Sequence, residues 1–168
     1  MPRIFTQGYL DGFCGVYSII NADKILNKSS ENDSQLLFNK IVSHLSHRKK
    51  LKEVLLYGIN HKLMTDILQN VAGDRFPIKL TTRSSQNLTG WWKDVSAWLE
   101  IKNRCVIASF GGKISHLTVI TAITEKIIFL SDSSGMKKIN KSSLRYYGYT
   151  KDDKYVVYPA QCFYIGKE

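Results

Sequence analysis

The chain contains few cysteines, only three in 168 residues. That number is too small for a disulfide-stapled scaffold, so the fold has to depend on a hydrophobic core. Cys105 and Cys162 stand in apolar, strand-like segments, where buried and inert thiols are common. A reducing compartment is the simpler interpretation, although the sequence leaves a Cys105–Cys162 disulfide open.

Long apolar runs are also missing. No stretch approaches the roughly 20 apolar residues that cross a bilayer, and the N-terminus lacks the apolar core of a signal peptide. We therefore expect no membrane insertion. The expected location is the cytoplasm, or a target cell that the chain enters without a cleavable signal.

The sequence lacks the patterns of metal and phosphate sites. His44 and His47 have the spacing of a metal-binding pair, but no acid or cysteine is placed nearby to complete a site. These two residues and His61 are expected on solvated helix faces. The segment Gly111-Gly112-Lys113 is too short for a phosphate-binding loop. We expect no metal and no other cofactor.

Charge is strongly one-sided, with 24 Lys and Arg against 14 Asp and Glu and a net charge of +10. A basic chain invites a nucleic-acid interpretation. However, the basic residues are spread out, without the interleaved aromatic residues and glycines of an RNA-binding or DNA-binding module. We favour solubility and weak electrostatic steering over a nucleic-acid partner.

The apolar pattern changes from helical to strand-like along the chain. With 43% hydrophobic residues, residues 1–168 can form a single domain with a real core. The first predicted helix begins at Cys14, two more cover 34–47 and 60–71, and a fourth begins at residue 89 or 90. A short strand is predicted at 76–80. The predicted C-terminal strands cover 104–110, 115–123, 126–130, 136–139 and 155–165. Helices followed by an antiparallel meander predict an α+β fold.

Cys14 is the first candidate for chemistry. It opens the first predicted helix within Gln7-Gly8-Tyr9-Leu10-Asp11-Gly12-Phe13-Cys14-Gly15. The free N–H groups of a helix start favour the thiolate form of a cysteine, which is the nucleophile. Gly12 and Gly15 allow backbone and substrate to approach closely. The alternative is that Cys14 is a small core residue of the helix.

His116 and Asp132 are candidates for the base and its orienting acid. His116 stands at the start of one predicted strand, and Asp132 follows the end of the next. In a hairpin centred on residue 124, these two positions are near cross-strand neighbours. Asp132 is then placed to accept the Nδ1–H of His116, as the acid of a triad does. Taken alone, His116 is better interpreted as a core histidine and Asp132 as a turn former, and it is their hairpin spacing that favours the paired roles.

Gln7 is the candidate oxyanion donor. A short loop can fold its side-chain amide back beside Cys14, where it would assist the backbone N–H of the cysteine. Losing such a donor typically costs about 2.7–4 kcal/mol of transition-state stabilisation. Without the Cys14 context, a surface glutamine is an equal alternative.

The segment Gln7…Asp11-Gly12-Phe13-Cys14-Gly15, followed by His116 and Asp132, resembles papain-like cysteine peptidases. The compact bacterial branch, similar to the bacteriocin-processing peptidases that trim leader peptides, fits best. Gln7 stands one residue further upstream than is usual, and Ser133 stands where that branch commonly has proline. The resemblance implies a helical half packed on an antiparallel sheet with the active-site cleft between them. It also implies Cys14 as nucleophile, His116 as base, Asp132 as orienting acid and Gln7 as oxyanion donor.

The expected activity is therefore hydrolysis of a peptide or amide bond by a Cys-His-Asp thiol protease. The expected partners are a protein or peptide substrate and, for an effector or toxin domain, an inhibitor or immunity protein. Papain-like sites also host glutamine deamidases and acyltransferases, and these reactions stay open. A catalytically inactive basic binding module is the alternative outside enzyme chemistry.

Overall fold

The computed structural model describes residues 4–8, 11–76, 85–147 and 154–166. Within these ranges there are five α-helices and seven strands, so the predicted α+β class is confirmed. The helices are Cys14–Asn27 (α1), Glu31–His47 (α2), Leu51–Tyr57 (α3), His61–Asn70 (α4) and Leu88–Leu99 (α5). The strands are Arg104–Gly112 (β1), His116–Ile123 (β2), Ile127–Ser131 (β3), Lys138–Asn140 (β4), Leu144–Tyr146 (β5), Tyr155–Val157 (β6) and Phe163–Gly166 (β7).

The sheet is built around β1. Its path is β4-β3-β2-β1-β6-β5, and β7 pairs with the beginning of β1 beside β6. The pairs are antiparallel except for β5 with β6, which run parallel. The prediction of a purely antiparallel sheet is therefore wrong. Parallel neighbours cannot be joined by a tight hairpin, so β5 and β6 are not part of the predicted meander.

The last predicted strand, 155–165, is divided in two. A short 3₁₀ helix at Pro159–Gln161 separates β6 from β7. Proline has no N–H to donate to a strand ladder, so pairing stops at this point. As a result, β6 pairs with the end of β1 and β7 with its beginning.

Helices cover both faces of the sheet. Alternate residues of β1 point to opposite sides. Cys105 and Ile107 join the core formed with α1, α2 and α4, whereas Val106 and Ala108 join the core that contains Trp91 and the rest of α5. The N-terminal helices thus pack on the sheet from both sides, with α5 on the face opposite α1, α2 and α4.

The helix boundaries follow their caps. α2 begins at Glu31, earlier than the predicted start at residue 34, because Ser30 forms a reciprocal capping box with Asp33. α3 was not predicted, since its seven residues have no side-chain cap. The predicted strand at 76–80 lies, beyond Phe76, outside the described residues.

Candidate active site

The start of α1 places Cys14 at the edge of the helical layer. Cys14 is the first residue of the helix and is half-buried. No side chain caps the first turn; instead, the Asp11 carboxylate accepts the backbone N–H of Phe13 at 3.1 Å, just ahead of the helix. The N–H groups of the first turn therefore contribute partial positive charge beside the Cys14 sulfur.

A buried hydrogen bond fixes α1 against β2. The hydroxyl of Ser18 donates to the backbone carbonyl of Leu117 at 2.9 Å. Ser18 lies one helical turn after Cys14, and Leu117 is the residue next to His116. This bond therefore fixes α1, which carries the thiol, against β2, which carries the imidazole.

His116 bridges Cys14 and Asp132. Its Nε2 lies 2.5 Å from Asp132 Oδ1, and Cys14 lies close enough for its interaction with the ring to raise the pKa of His116. The prediction that Nδ1 donates to Asp132 is wrong, because Nε2 makes that contact. With Nε2 engaged by Asp132, Nδ1 is the ring nitrogen that remains for the thiol.

The register of the hairpin differs from the sequence-based estimate. Val119 pairs with Ser131, and continuing this ladder by one residue places Asp132 level with Thr118. Asp132 is therefore offset by two positions from His116 instead of lying opposite it. A bulge after Ile120 shifts the ladder, and the long imidazole reaches Asp132 diagonally.

Asp132 is held as an anion by its own turn. Its Oδ2 accepts three hydrogen bonds, from the N–H of Ser134 at 2.9 Å, the hydroxyl of Ser134 at 2.5 Å and the N–H of Met136 at 3.1 Å. Burial alone would raise the pKa of Asp132, but the hydrogen bonds from His116 and Ser134 and the charge of His116 lower it to about 2.

The electrostatics of the site favour a protonated imidazole. The side chain of His116 is 9% exposed and that of Asp132 is fully buried. Burial alone would lower the pKa of His116, yet hydrogen bonds and charge interactions with Asp132 and Cys14 raise it to about 9. At neutral pH an imidazolium is therefore placed beside Cys14.

Gln7 lies beside this group and is held by Ser133. The backbone N–H of Gln7 donates to the Ser133 carbonyl at 3.0 Å, and the Ser133 hydroxyl donates to Gln7 Oε1 at 2.9 Å. The side-chain Nε2 of Gln7 makes a long contact of 3.4 Å with the carbonyl of Asp11. The structure thus brings all four predicted site residues, Gln7, Cys14, His116 and Asp132, into one cluster.

A cleft of about 270 Å³ opens in front of this cluster. One wall is the loop after α3, and the other is the start of β2; the lining includes Gln7, Cys14, His116, Ser109 and residues 56–59. Leu56 and Tyr57 on the α3 side are 56% and 83% exposed. The cleft therefore combines the polar side chains of Gln7, Cys14 and His116 with the exposed apolar side chains of Leu56 and Tyr57.

Gly12 allows the chain before α1 to approach the wall of this cleft. Its N–H donates to the Leu55 carbonyl at 2.8 Å, and an added Cβ would lie 2.5 Å from the Val54 carbonyl oxygen and 2.7 Å from the Gly58 nitrogen. The contact is with protein backbone, not with open space for a substrate. Gly12 is required by packing.

We expect Gly12→Ala to lower the free energy of unfolding by about 1–3 kcal/mol, because backbone has to shift to admit the methyl group. Urea denaturation measures this change. The control is Gly90→Ala, whose Cβ would meet only side-chain atoms at ordinary van der Waals distance, Asn87 Oδ1 at 3.5 Å and Ser85 Cβ at 3.6 Å. Alanine in α5 should keep or raise stability, by up to about 1 kcal/mol. Equal stability of the two variants would contradict the close approach at Gly12.

The remaining histidines lie away from the cluster. His44 is half-buried, and its Nε2 is 2.7 Å from Asp66 Oδ2. For this residue, the predictions of a solvated position and of no acid nearby are therefore wrong. The His61 ring stacks on Phe163 at 4.8 Å instead of lying on a solvated face. Both errors arise from contacts distant in sequence. Among the described residues, no group of three or more His, Cys, Asp and Glu is arranged to hold a metal ion.

The other two cysteines are free thiols in the interior. Cys105 and Cys162 are both fully buried and form no disulfide. Burial raises the pKa of the Cys105 thiol well above its ordinary range and that of Cys162 to about 12. Of the three thiols, Cys14 alone is accessible to a reagent.

Sequence reasoning missed the residues that hold the site together. Ser133 and Ser134 form the turn after β3, and Ser18 ties α1 to β2. The sequence does carry a signal for the turn: the segment Asp132-Ser133-Ser134-Gly135 is rich in turn formers. Nothing in the sequence indicates that this turn would lie against residue 7.

Comparisons with protein-family models, curated proteins and solved structures found no match to the chain. The papain-like resemblance therefore depends on the motif residues and on their arrangement. A search of the described helices also finds none that is long and apolar enough to cross a membrane.

Proposed function

We propose that this chain is a papain-like thiol hydrolase that cleaves a peptide or amide bond through a thioester on Cys14. The observation that carries the proposal is that the buried Asp132 carboxylate bonds the His116 imidazole, while the half-buried Cys14 thiol lines the same cleft as that ring. A nucleophile, a base and an orienting group gathered at one cleft are the parts that covalent acyl transfer requires.

In the proposed acylation, the Cys14 thiolate attacks the substrate carbonyl carbon and forms a C–S bond. The carbonyl oxygen becomes an oxyanion that accepts hydrogen bonds from Gln7 Nε2 and from the N–H of Cys14. The His116 imidazolium then donates its Nδ1 proton to the leaving nitrogen as the C–N bond breaks. The products of this half-reaction are a thioester and a free amine.

In the proposed deacylation, neutral His116 accepts a proton from water while the water oxygen attacks the thioester carbon. The C–S bond breaks, the acid is released, and Cys14 returns as a thiolate beside imidazolium. Asp132 stays ionised throughout and holds Nε2–H, so that Nδ1 always faces the reacting atoms. Deamidation and acyl transfer use the same thioester and differ in the amide attacked or in the acceptor. The mass of the modified target separates these reactions from cleavage, which gives two fragments.

The test is the pH dependence of Cys14 alkylation by iodoacetamide, located by peptide mass mapping, in the wild type and in His116→Ala. The wild type should react rapidly at about pH 6, because the proposed thiolate–imidazolium pair supplies the nucleophilic form of the sulfur at that pH. His116→Ala should lose this advantage, by about 100-fold at pH 6, and should gain reactivity only as the pH approaches 8.5.

Burial of Cys105 and Cys162 makes them unsuitable as reference thiols, since they will resist alkylation in any folded variant. Glutathione in the same tube supplies an unperturbed thiol for comparison. Wild-type Cys14 that reacts no faster than glutathione at pH 6 would end the hydrolase proposal. The basic binding module would then be favoured, and its signature is salt-sensitive binding that survives the loss of Cys14.

A further inference from the structure

We propose that Ser133 is the positioning residue for the oxyanion donor: its hydroxyl fixes the orientation of the Gln7 side-chain amide. This inference depends on the proposed function, because an oxyanion donor has a role only if Cys14 attacks a carbonyl. It assigns a task to a residue at which the chain differs from the proline common in the branch it resembles.

Ser133 contacts Gln7 at two points. Its carbonyl accepts the backbone N–H of Gln7 at 3.0 Å, and its hydroxyl donates to Gln7 Oε1 at 2.9 Å. Ser133 is only 2% exposed, so water competes poorly for this hydroxyl. The two residues are 126 positions apart in the chain, and the pair therefore closes the segment before α1 onto the turn after β3.

The hydroxyl bond and the Asp11 carbonyl together decide which end of the amide faces the cleft. An amide carries an acceptor oxygen and a donor NH₂ group that can exchange places by a half-turn of the side chain. The Asp11 carbonyl can only accept, so Nε2 lies on its side at 3.4 Å, and the Ser133 hydroxyl, which can donate or accept, donates to Oε1 on the β3 side. Among the described residues Nε2 has no other hydrogen-bond partner, and its second hydrogen is available for an oxyanion.

The backbone bond and the hydroxyl bond have separable effects. Removing the hydroxyl leaves the Ser133 carbonyl in place, so the segment containing Gln7 stays attached to the turn. Only the amide gains rotational freedom. A proline or alanine at this position would keep the carbonyl and lack the donor, so neither could orient the amide.

The same turn also orients the base. Asp132, adjacent to Ser133, bonds His116 Nε2, and Ser134 donates twice to Asp132. Three consecutive residues therefore set both the tautomer of the imidazole and the direction of the oxyanion donor. Ser133 is the member that acts on Gln7 and makes no bond to the imidazole.

This division of roles gives an experiment that does not require the natural substrate. Acylation of Cys14 by p-nitrophenyl acetate passes through a tetrahedral oxyanion: a C–S bond forms and p-nitrophenolate leaves with the C–O electron pair. Alkylation by iodoacetamide displaces iodide and forms no oxyanion. We expect Ser133→Ala to slow acylation about tenfold, part of the 10²–10³-fold that losing an oxyanion donor typically costs, and to leave the alkylation rate unchanged.

Further variants separate positioning from a structural role. Ser133→Thr keeps the hydroxyl and should restore most of the acylation rate. In a Gln7→Ala background, Ser133→Ala should cause no further loss, because the group it orients has been removed. Ser34→Ala is the matched control: Ser34 is also buried and donates one hydrogen bond, to the Ser30 carbonyl at 2.9 Å, away from the cleft. It should leave both rates unchanged.

The outcomes are distinguishable. An unchanged acylation rate in Ser133→Ala would overturn the inference, and so would an equal fall in acylation and alkylation, which would place the effect on the ion pair or on folding. A full additional loss in the Gln7→Ala background would overturn it as well. Failure of the hydrolase proposal has a different signature, namely slow alkylation of Cys14 in the wild type at pH 6.

Discussion

Cys14→Ala should abolish thioester formation and leave the fold intact. The sulfur is the atom that bonds the substrate carbon, and no other thiol can replace it, since Cys105 and Cys162 are fully buried. Loss of the nucleophile of a hydrolase typically lowers kcat on the order of 10⁶-fold. On p-nitrophenyl acetate, p-nitrophenolate release should fall to the buffer rate, and mass spectrometry should find no acetyl group at position 14.

The fold should tolerate this change because Cys14 is half-buried at a helix start. We expect the free energy of unfolding to change by less than about 1 kcal/mol. The pKa of His116 should fall below about 9, since Cys14 is one of the two groups that raise it. An NMR titration of the His116 ring measures this shift without any substrate.

Cys105→Ala is the control for Cys14→Ala. Cys105 is fully buried in the core, so its replacement should lower stability while acylation continues at the wild-type rate. A Cys14→Ala protein that still processes a substrate would refute the catalytic role of this thiol.

Asp132→Asn is expected to produce the second largest loss, on the order of 10³–10⁴-fold in kcat. Oδ2 of Asp132 accepts three hydrogen bonds from Ser134 and Met136, and an asparagine keeps these by presenting its carbonyl oxygen to them. Its NH₂ group then faces His116 Nε2 and donates to it. Neutral His116 is thereby held with its proton on Nδ1, where it cannot accept the proton of Cys14.

The same substitution should shift the pH dependence. Asp132 raises the pKa of His116 to about 9, so its loss should lower that pKa and move the alkaline limb of the acylation profile to lower pH. Ser96→Ala, on α5 and away from the cluster, should show the wild-type profile. An unchanged alkaline limb in Asp132→Asn would show that Asp132 does not support the imidazolium.

Stability should depend on pH in the same sense. The pKa of Asp132 is lowered from 3.8 to about 2, so its contribution is complete above about pH 3.8 and is lost as the pH falls towards 2. The pKa of His116 is raised from 6.5 to about 9, so its contribution is complete below about pH 6.5 and is lost as the pH rises towards 9. The difference in stability between wild type and Asp132→Asn should therefore be largest between about pH 4 and 6.5, as measured by urea unfolding.

The sequence was sufficient for the positions of the chemical groups. Cys14 begins α1 as predicted, His116 begins β2, and Asp132 directly follows β3. These placements depend on local signals, namely a change from a glycine-rich turn to helical spacing and from a turn to strand alternation. Such signals act within a few residues, which is why they can be read from one chain.

The details that depend on distant pairing could not be predicted. The register of β2 with β3 includes a bulge after Ile120, and no local residue pattern marks it. The hairpin turns between Ile123 and Ile128, later than residue 124, and this later turn produces the offset of Asp132 from His116, whereas the bulge changes the register by one residue. The contact of Ser133 with Gln7 joins segments 126 residues apart and was likewise invisible.

The burial of Cys105 and Cys162 has a consequence for oxidative damage. A cysteine sulfenic acid is commonly protected from further oxidation when it condenses with a neighbouring thiol to a disulfide. The other two thiols of this chain are fully buried and cannot reach Cys14 in this way. Repair must come from outside, through a small thiol such as glutathione that caps the sulfur and is then exchanged. In the absence of such a thiol, oxidation at Cys14 would proceed to the irreversible sulfinic state.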